Sequence, residues 1–180
     1  MSIFASTPEV GQPAPNFNLK DQDGISHNLE DYKDKKLVIY FFPKAGTPGW
    51  KKQACGLRDN FSNYEKSNIS IIGVSYDSKT SLKSFKEKYN IQFNFLSDSD
   101  KEVGKSYGVN RFLFTSRKTF LIDEKGILVH VIDSVDINTH ATDILSLYES
   151  IKKSWSQCYY LLNIVRFEII YHMLPVWKQV

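Results

Sequence analysis

The chain has 180 residues, of which 42% are hydrophobic and 24% are charged, a composition typical of one soluble globular domain. Its 23 basic and 20 acidic residues leave a net charge of +3 that is spread along the sequence, which argues against nucleic acid as a partner. The first residues lack the basic and apolar segments of a secretory signal, so we expect a cytoplasmic protein.

The cysteines and histidines do not suggest a metal site. Cys55 and Cys158 stand far apart in the sequence and form neither a disulfide framework nor a metal-ligand pair, so any cysteine chemistry is expected to be redox chemistry. The histidines have no ligand spacing, which predicts surface or packing roles for them: they are His27, His130, His140 and His172. We expect no metal and no other cofactor.

Strand and helix signals alternate along the chain, which predicts an α/β layer structure. Two short runs around the turn Asp21–Gly24 predict an N-terminal β-hairpin. The continuous apolar run Leu37–Phe42 predicts a central strand buried on both faces, and Pro43 closes it. The segment Thr47–Lys66 then predicts a helix in which Pro48 suits the first turn, where a missing N–H costs nothing.

The alternation continues to residue 153. In chain order the sequence predicts a strand over Ile69–Val74, a helix over Ser81–Tyr89, an extended piece over Phe93–Leu96, a helix over Asp100–Tyr107, a hairpin of Phe120–Asp123 and Ile127–Ile132, and a helix over Thr139–Lys153. We therefore expect one α/β domain over residues 1–153.

Residues 154–180 differ in character from the rest, because they are rich in aromatic and aliphatic side chains and almost uncharged. A membrane span needs about 20 mostly apolar residues. Polar residues interrupt the tail too often for that: they are Asn163, Arg166, Glu168 and His172. We expect no membrane insertion, and a helix docked on its own domain or on a partner is one interpretation of this aromatic-rich tail.

The loop that leaves the predicted central strand carries the most specific pattern, F-F-P-K-A-G-T-P-G-W-K-K-Q-A-C-G-L-R-D over residues 41–59. It resembles the peroxiredoxins, and within them the bacterioferritin comigratory protein or peroxiredoxin Q branch, whose pattern is P-x-x-x-T-P-G-C with a second cysteine five residues on. The similarity extends from about Val10 to Lys153 and includes the elements G-x-x-A-P-x-F at Gly11–Phe17 and R-x-T-F-L-I-D at Arg117–Asp123. The resemblance implies a thioredoxin-like fold, with a central mixed β-sheet flanked by helices.

The resemblance also implies a function, the reduction of hydrogen peroxide and organic hydroperoxides by a monomeric thiol peroxidase, with thioredoxin as electron donor, in antioxidant defence; the codon hypothesis given below would make it a selenol peroxidase. A nucleophile in the first turn of a helix faces free N–H groups and the positive end of the helix dipole, which favour its anion. By resemblance, Thr47 holds the nucleophile and the peroxide, and Pro43 shields the reactive atom from water. Arg117 stabilises the anion and the polarised O–O bond, and Cys55 is the resolving cysteine.

The sequence departs from the family pattern where the peroxidatic cysteine belongs, because it has Trp50 there. An indole has one N–H donor and no nucleophilic lone pair. Cys55 cannot replace the missing nucleophile, since five helical residues separate the two positions by about 7.5 Å along the axis and about 140° around it. Activity therefore requires cysteine or selenocysteine at position 50. The alternative is a catalytically inactive peroxiredoxin-fold protein that binds a partner or holds unfolded clients.

The three tryptophans stand at unusual positions. Trp50 replaces the expected cysteine, Trp155 falls where a chain of this family is expected to stop, and Trp177 lies in the atypical tail. UGA codons translated as tryptophan explain all three, with the first specifying selenocysteine and the second a true stop. The abundance of lysine, asparagine and isoleucine fits an AT-rich genome. On this hypothesis the tail after Trp155 is read-through, whereas a genuine Trp50 remains the competing interpretation.

Overall fold

The structure is a computed structural model that describes residues 7–44, 48–111 and 115–154. The chain divides into two compact units, residues 1–144 and residues 145–180. Of the second unit, residues 145–154 are described, and all of them are helical. The predictions for Thr47, Cys158 and the aromatic-rich tail from Trp155 onward concern residues outside the described part of the chain.

The first unit is organised around one mixed sheet, to which the described residues contribute seven strands. They are β1 (Asn18–Asp21), β2 (Ser26–Asn28), β3 (Lys36–Phe41), β4 (Ile69–Ser75), β5 (Asn94–Ser97), β6 (Lys118–Ile122) and β7 (Leu128–Ile132). The strand order is β2-β1-β5-β4-β3-β6-β7. Strands β3, β4 and β5 run parallel, and the other neighbouring strands pair antiparallel. The predicted mixed sheet and N-terminal hairpin are confirmed.

Helical segments lie between the strands and after the last of them. They are a 3₁₀ turn (Leu29–Tyr32), α1 (Pro48–Asp59), α2 (Phe61–Lys66), α3 (Lys79–Tyr89), α4 (Glu102–Ser106) and a final helical stretch at residues 140–154. The side chain of Ser78 accepts a hydrogen bond from the N–H of Ser81 and so begins α3. In the described part of the chain, no helix is long and apolar enough to cross a membrane.

The prediction of one helix over Thr47–Lys66 is wrong, because α1 and α2 are separate helices. The break lies at Asn60, whose backbone has φ −101° and ψ 7°. The side-chain amide of Asn60 donates to the carbonyl of Gly56, the acceptor that its backbone N–H would use in a continuous helix. A local side-chain hydrogen bond thus replaces one link of the helical ladder.

Strand β3 is buried on both faces, as predicted, and its two faces have different roles. Leu37, Ile39 and Phe41 belong to the main hydrophobic core. Tyr40 and Phe42 alternate with them and therefore point to the opposite side of the sheet. There Phe42 stacks on Trp50 of α1, with ring centroids 4.6 Å apart. This second face of β3 supports the beginning of α1.

A glycine in β4 makes room for the aromatic side chains on this second face. Gly73 pairs with Tyr40 on β3 and with Phe95 on β5. A Cβ atom at Gly73 would lie 2.7 Å from Cδ1 of Phe95 and 2.9 Å from Cζ of Tyr40. Because both rings are fully buried, they cannot move aside without disturbing their neighbours.

We expect the substitution Gly73→Ala to lower the free energy of unfolding by about 1–3 kcal/mol, the usual cost of overpacking a core. Gly56→Ala is the matched control, because a Cβ at Gly56 meets nothing within 4 Å. Alanine is the better helix former, so this variant gains roughly 0.5–1 kcal/mol. Urea unfolding of both variants and the parent measures the two effects, and a Gly73→Ala variant as stable as the parent would contradict the packing account.

Candidate active site

The candidate site lies where β3 is followed by α1. After β3 ends at Phe41, Pro43 occupies a partly buried bend, and α1 begins at Pro48. The first turn of α1 contains no acidic residue. The backbone N–H groups at the start of a helix have no acceptor within it, and they present partial positive charge. The start of α1 therefore favours an anion at its first turn.

Trp50 is the third residue of α1, and its side chain is completely buried. Its ring centroid lies 5.5 Å from that of Phe95 in an edge arrangement. The centroid of Phe85, on α3, lies only 3.2 Å away. Favourable aromatic pairs have centroids about 4.5–7 Å apart. The indole thus occupies space that the ring of Phe85 also requires, and the position is overfilled.

The polar atom of the indole is also poorly accommodated. Nε1 of Trp50 is buried and has no hydrogen-bond partner, and the same is true of the hydroxyl of Tyr40. The N–H of Trp50 lies near enough to the Tyr40 hydroxyl to favour its anion, which lowers the pKa of Tyr40, yet the pair does not meet the geometry of a hydrogen bond. A buried polar group without a partner costs about 1–3 kcal/mol. Burial raises the pKa of Tyr40 well above its ordinary value of 10, so the phenol stays neutral.

Arg117 lies beside the first turn of α1. The pairing of β3 with β6 places Lys118 opposite Phe41, so Arg117 stands next to the end of β3. Its Nη2 atom lies 3.5 Å from the position that a Cβ of Gly49 would occupy. Burial lowers the pKa of its guanidinium, which nevertheless remains charged at physiological pH. The structure thus brings a fixed cation to the residue that precedes position 50.

Gln53, His140 and Thr119 form a buried network behind Arg117. Nη1 of Arg117 donates to Oε1 of Gln53. Nε2 of Gln53 lies 3.2 Å from Nδ1 of His140, and Nε2 of His140 lies 2.8 Å from Oγ1 of Thr119. At most 2% of Gln53, His140 or Thr119 is exposed to solvent. These side chains connect the guanidinium to the interior of the first unit.

The sequence analysis did not identify this network. For His140 it predicted a surface or packing role; the imidazole is buried, and it also has a polar partner at each ring nitrogen, which was not predicted. The position of Gln53, three residues after Trp50 on the same face of α1, is a signal that was available. No sequence signal links Thr119 to His140, since only the folded chain brings β6 and residue 140 together.

Cys55 is a half-buried free cysteine on α1. Because α1 is continuous from Pro48 to Asp59, Cys55 and residue 50 are about 7.5 Å apart along the helix axis. Residues whose Cα atoms are more than about 7 Å apart cannot form a disulfide without backbone movement. A bond between Cys55 and residue 50 therefore requires α1 to open.

The residues predicted from the sequence are only partly brought together. Arg117 reaches the first turn of α1, Pro43 stands between β3 and α1, and Thr47 lies outside the described residues. Among the residues that the structure describes, no group of three or more histidines, cysteines and carboxylates could hold a metal ion.

Comparisons with known proteins identify the family. Residues 10–131 match the AhpC/TSA family. The peroxiredoxin Bcp of Escherichia coli is 38% identical over 146 residues, which cover 77% of this chain and 94% of that protein. The chain is a member of the peroxiredoxin family, in its Bcp/PrxQ branch. This membership confirms the family that the loop at residues 41–59 indicated.

Solved peroxiredoxin structures have the same fold. A cysteine-to-serine variant of PrxQ from Xylella fastidiosa matches with a TM-score of 0.78 at 28% identity, over 82% of this chain and 99% of that one. The bacterioferritin comigratory protein of Xanthomonas campestris, described by its alkyl peroxide reduction activity, matches with a TM-score of 0.73 at 26% identity, over 79% and 98% of the two chains. The thioredoxin-like fold class is thereby confirmed for this peroxiredoxin.

The buried histidine gives the stability a pH dependence. Burial lowers the pKa of His140 from 6.5 to about 4; Arg117 lowers it further, and Asp143 opposes the shift. Between these values the unfolded chain binds a proton that the folded chain does not, so His140 destabilises the fold as the pH falls through this range. The stability advantage of the parent over His140→Gln should shrink by about 2 kcal/mol from pH 7 to pH 5.

Urea unfolding at the two pH values measures this difference. Asp98, whose pKa burial raises to about 6, titrates in the same range with the opposite effect on stability. Because Asp98 is present in both proteins, its contribution cancels when they are compared. A difference in stability that stays constant between pH 7 and pH 5 would show that His140 is not held neutral in the fold.

Proposed function

We propose that this peroxiredoxin reduces hydrogen peroxide and organic hydroperoxides, and that position 50 carries cysteine or selenocysteine in the cell. The observation that carries the proposal is the position of Arg117 beside the first turn of α1, next to residue 50. A cation and free backbone N–H groups at one point favour a thiolate or selenolate there. The peroxide reduction activity of the Xanthomonas campestris relative supports the same substrate class.

The chemistry at position 50 follows from the charges around it. The anion of the nucleophile attacks the terminal oxygen of the peroxide, the O–O bond breaks, and a proton converts the leaving hydroxide or alkoxide to water or an alcohol. The nucleophile is left as a sulfenic or selenenic acid. Arg117 stabilises the negative charge that moves from the attacking atom to the leaving oxygen. We assign the shielding of the reactive atom to Pro43 and the binding of the peroxide to Thr47, as the family pattern implies.

We assign the resolving step to Cys55. Its thiol displaces the hydroxyl of the oxidised nucleophile as water and forms a disulfide or selenenylsulfide with residue 50. Since α1 holds the two positions apart, this step requires the helix to unwind over at least its first turns. Thioredoxin or a similar dithiol then reduces the bond by thiol–disulfide exchange. For the whole protein we propose a cytoplasmic monomer that binds neither nucleic acid nor a membrane.

Selenocysteine is the form of residue 50 that we propose. The overfilled contact with Phe85 and the unpaired Nε1 of Trp50 indicate that the pocket suits a smaller side chain without a polar N–H group. They argue against the alternative of a catalytically inactive binding protein with a genuine Trp50. Cysteine fits the pocket equally well, but a UGA codon accounts for the other two tryptophans as well.

We also propose that the native domain ends near residue 153 and that the aromatic-rich tail is read-through. The alignment with the peroxiredoxin Bcp of Escherichia coli includes 94% of that protein but only 77% of this chain. About a quarter of this chain therefore has no counterpart in that protein. The second tryptophan, Trp155, stands at the start of the segment that differs in composition from the rest. A stop codon read as tryptophan at this position explains the change in composition and part of the share of the chain that has no counterpart.

Restoring a nucleophile should restore activity. We expect the Trp50→Cys variant to consume cumene hydroperoxide with thioredoxin, thioredoxin reductase and NADPH, whereas Trp50→Ser, which leaves the same space, should not. Adding Arg117→Gln to Trp50→Cys should lower kcat/KM about 10²–10³-fold, the usual effect of removing a charge-stabilising donor. Oxidation of NADPH measures turnover. If folded Trp50→Cys protein is no faster than Trp50→Ser, position 50 is not the site of the nucleophile.

A further inference from the structure

Three polar side chains beyond Arg117 form a continuous path of hydrogen bonds. The path runs from Nη1 of Arg117 to Oε1 of Gln53, from Nε2 of Gln53 to Nδ1 of His140, and from Nε2 of His140 to Oγ1 of Thr119. It joins α1, the residue before β6, β6 itself and the helix that begins at residue 140. Because Gln53, His140 and Thr119 are buried, water cannot supply a substitute partner for any of them.

The chemistry of the partners fixes the direction of every hydrogen bond. An arginine side chain only donates, so the side chain of Gln53 must present its oxygen to Arg117. The amide nitrogen of Gln53 then faces His140 and donates to Nδ1, which must carry no proton. The proton of the neutral imidazole is therefore on Nε2, and Nε2 donates to the hydroxyl oxygen of Thr119.

Moving the proton of His140 from Nε2 to Nδ1 would reverse the directions of these hydrogen bonds. With a proton on Nδ1, the imidazole would face the amide nitrogen of Gln53 as a second donor. The amide would then turn and present N–H groups to the guanidinium, where two donors repel each other. The charged and titratable groups around His140 are Arg117, Asp143 and Tyr40, whose ring centroid lies 6.3 Å from that of the imidazole.

We propose that His140 is a positioning residue that keeps the amide oxygen of Gln53 turned towards Arg117 and so fixes the guanidinium beside residue 50. Thr119 selects the required tautomer by accepting the proton of Nε2. The consequence for the peroxidase reaction rests on the proposed function. The direction of each hydrogen bond in the path does not depend on that function. Gln53 lies one helical turn after residue 50, so the cation and the nucleophile are tied to the same part of α1.

The directions of these hydrogen bonds can be tested on the chain as it stands, with Trp50 in place. Nitrogen-15 NMR of the imidazole distinguishes a protonated Nε2 from a protonated Nδ1. At pH 7 we expect His140 to be neutral, with its proton on Nε2, and we expect Thr119→Val to weaken that preference. A proton on Nδ1, or a charged imidazole at this pH, would overturn the proposal whatever the activity of the protein.

The consequence for catalysis is tested in the Trp50→Cys background. Thr119→Val keeps the volume of the side chain but removes the acceptor, and we expect kcat/KM to fall about tenfold or more and the pKa of the thiol introduced at position 50 to rise. Thr119→Ser keeps the acceptor but removes a methyl group, and we expect it to retain the activity and the low thiol pKa. Stopped-flow peroxide reduction and thiolate absorbance measure the two quantities.

The matched pair separates positioning from packing. A merely structural Thr119 would lose activity on replacement by serine and tolerate valine, so that pattern, or equal effects of the two substitutions, would overturn the positioning role. If Trp50→Cys itself shows no peroxidase activity, the proposed function fails. The NMR measurement still decides whether His140 sets the directions of the hydrogen bonds. The failures of the two proposals are therefore distinguishable.

Discussion

The candidate site depends on one guanidinium held beside the start of a helix. The pairing of β6 with β3 places Arg117 at the end of β3, and Gln53 holds it through Nη1. A half-buried cation and the free N–H groups of α1 then act on the same small region around residue 50. A nucleophile that must be an anion at neutral pH is stabilised by both.

Trp50 stacks on Phe42 but conflicts with this region in charge, in its contact with Phe85 and in hydrogen bonding. The surrounding charges favour an anion, whereas an indole is neutral and has no nucleophilic lone pair. The ring is also too close to Phe85, and its Nε1 atom has no partner. The selenocysteine or cysteine that we propose at position 50 is smaller and ionisable, and it has no indole N–H to leave unpaired.

Much of the fold was predictable from the sequence, because it rests on local patterns. The apolar run of β3 and the turns of the two hairpins are short-range signals, and the structure confirms them. The break at Asn60 was missed, because its side-chain hydrogen bond competes with a helical pattern that continues on both sides. The network of Gln53 and His140 joins residues that are 87 positions apart, so no local pattern indicates it.

The identity of residue 50 in the native protein tests the account most directly. Mass spectrometry of the protein purified from its own organism can examine the tryptic peptide Ala45–Lys51 and the C-terminus. The account predicts selenocysteine in that peptide and a chain that ends near Ser154. Cysteine there would keep the peroxidase and exclude selenium, whereas tryptophan in a chain that continues to Val180 would contradict the proposed function itself.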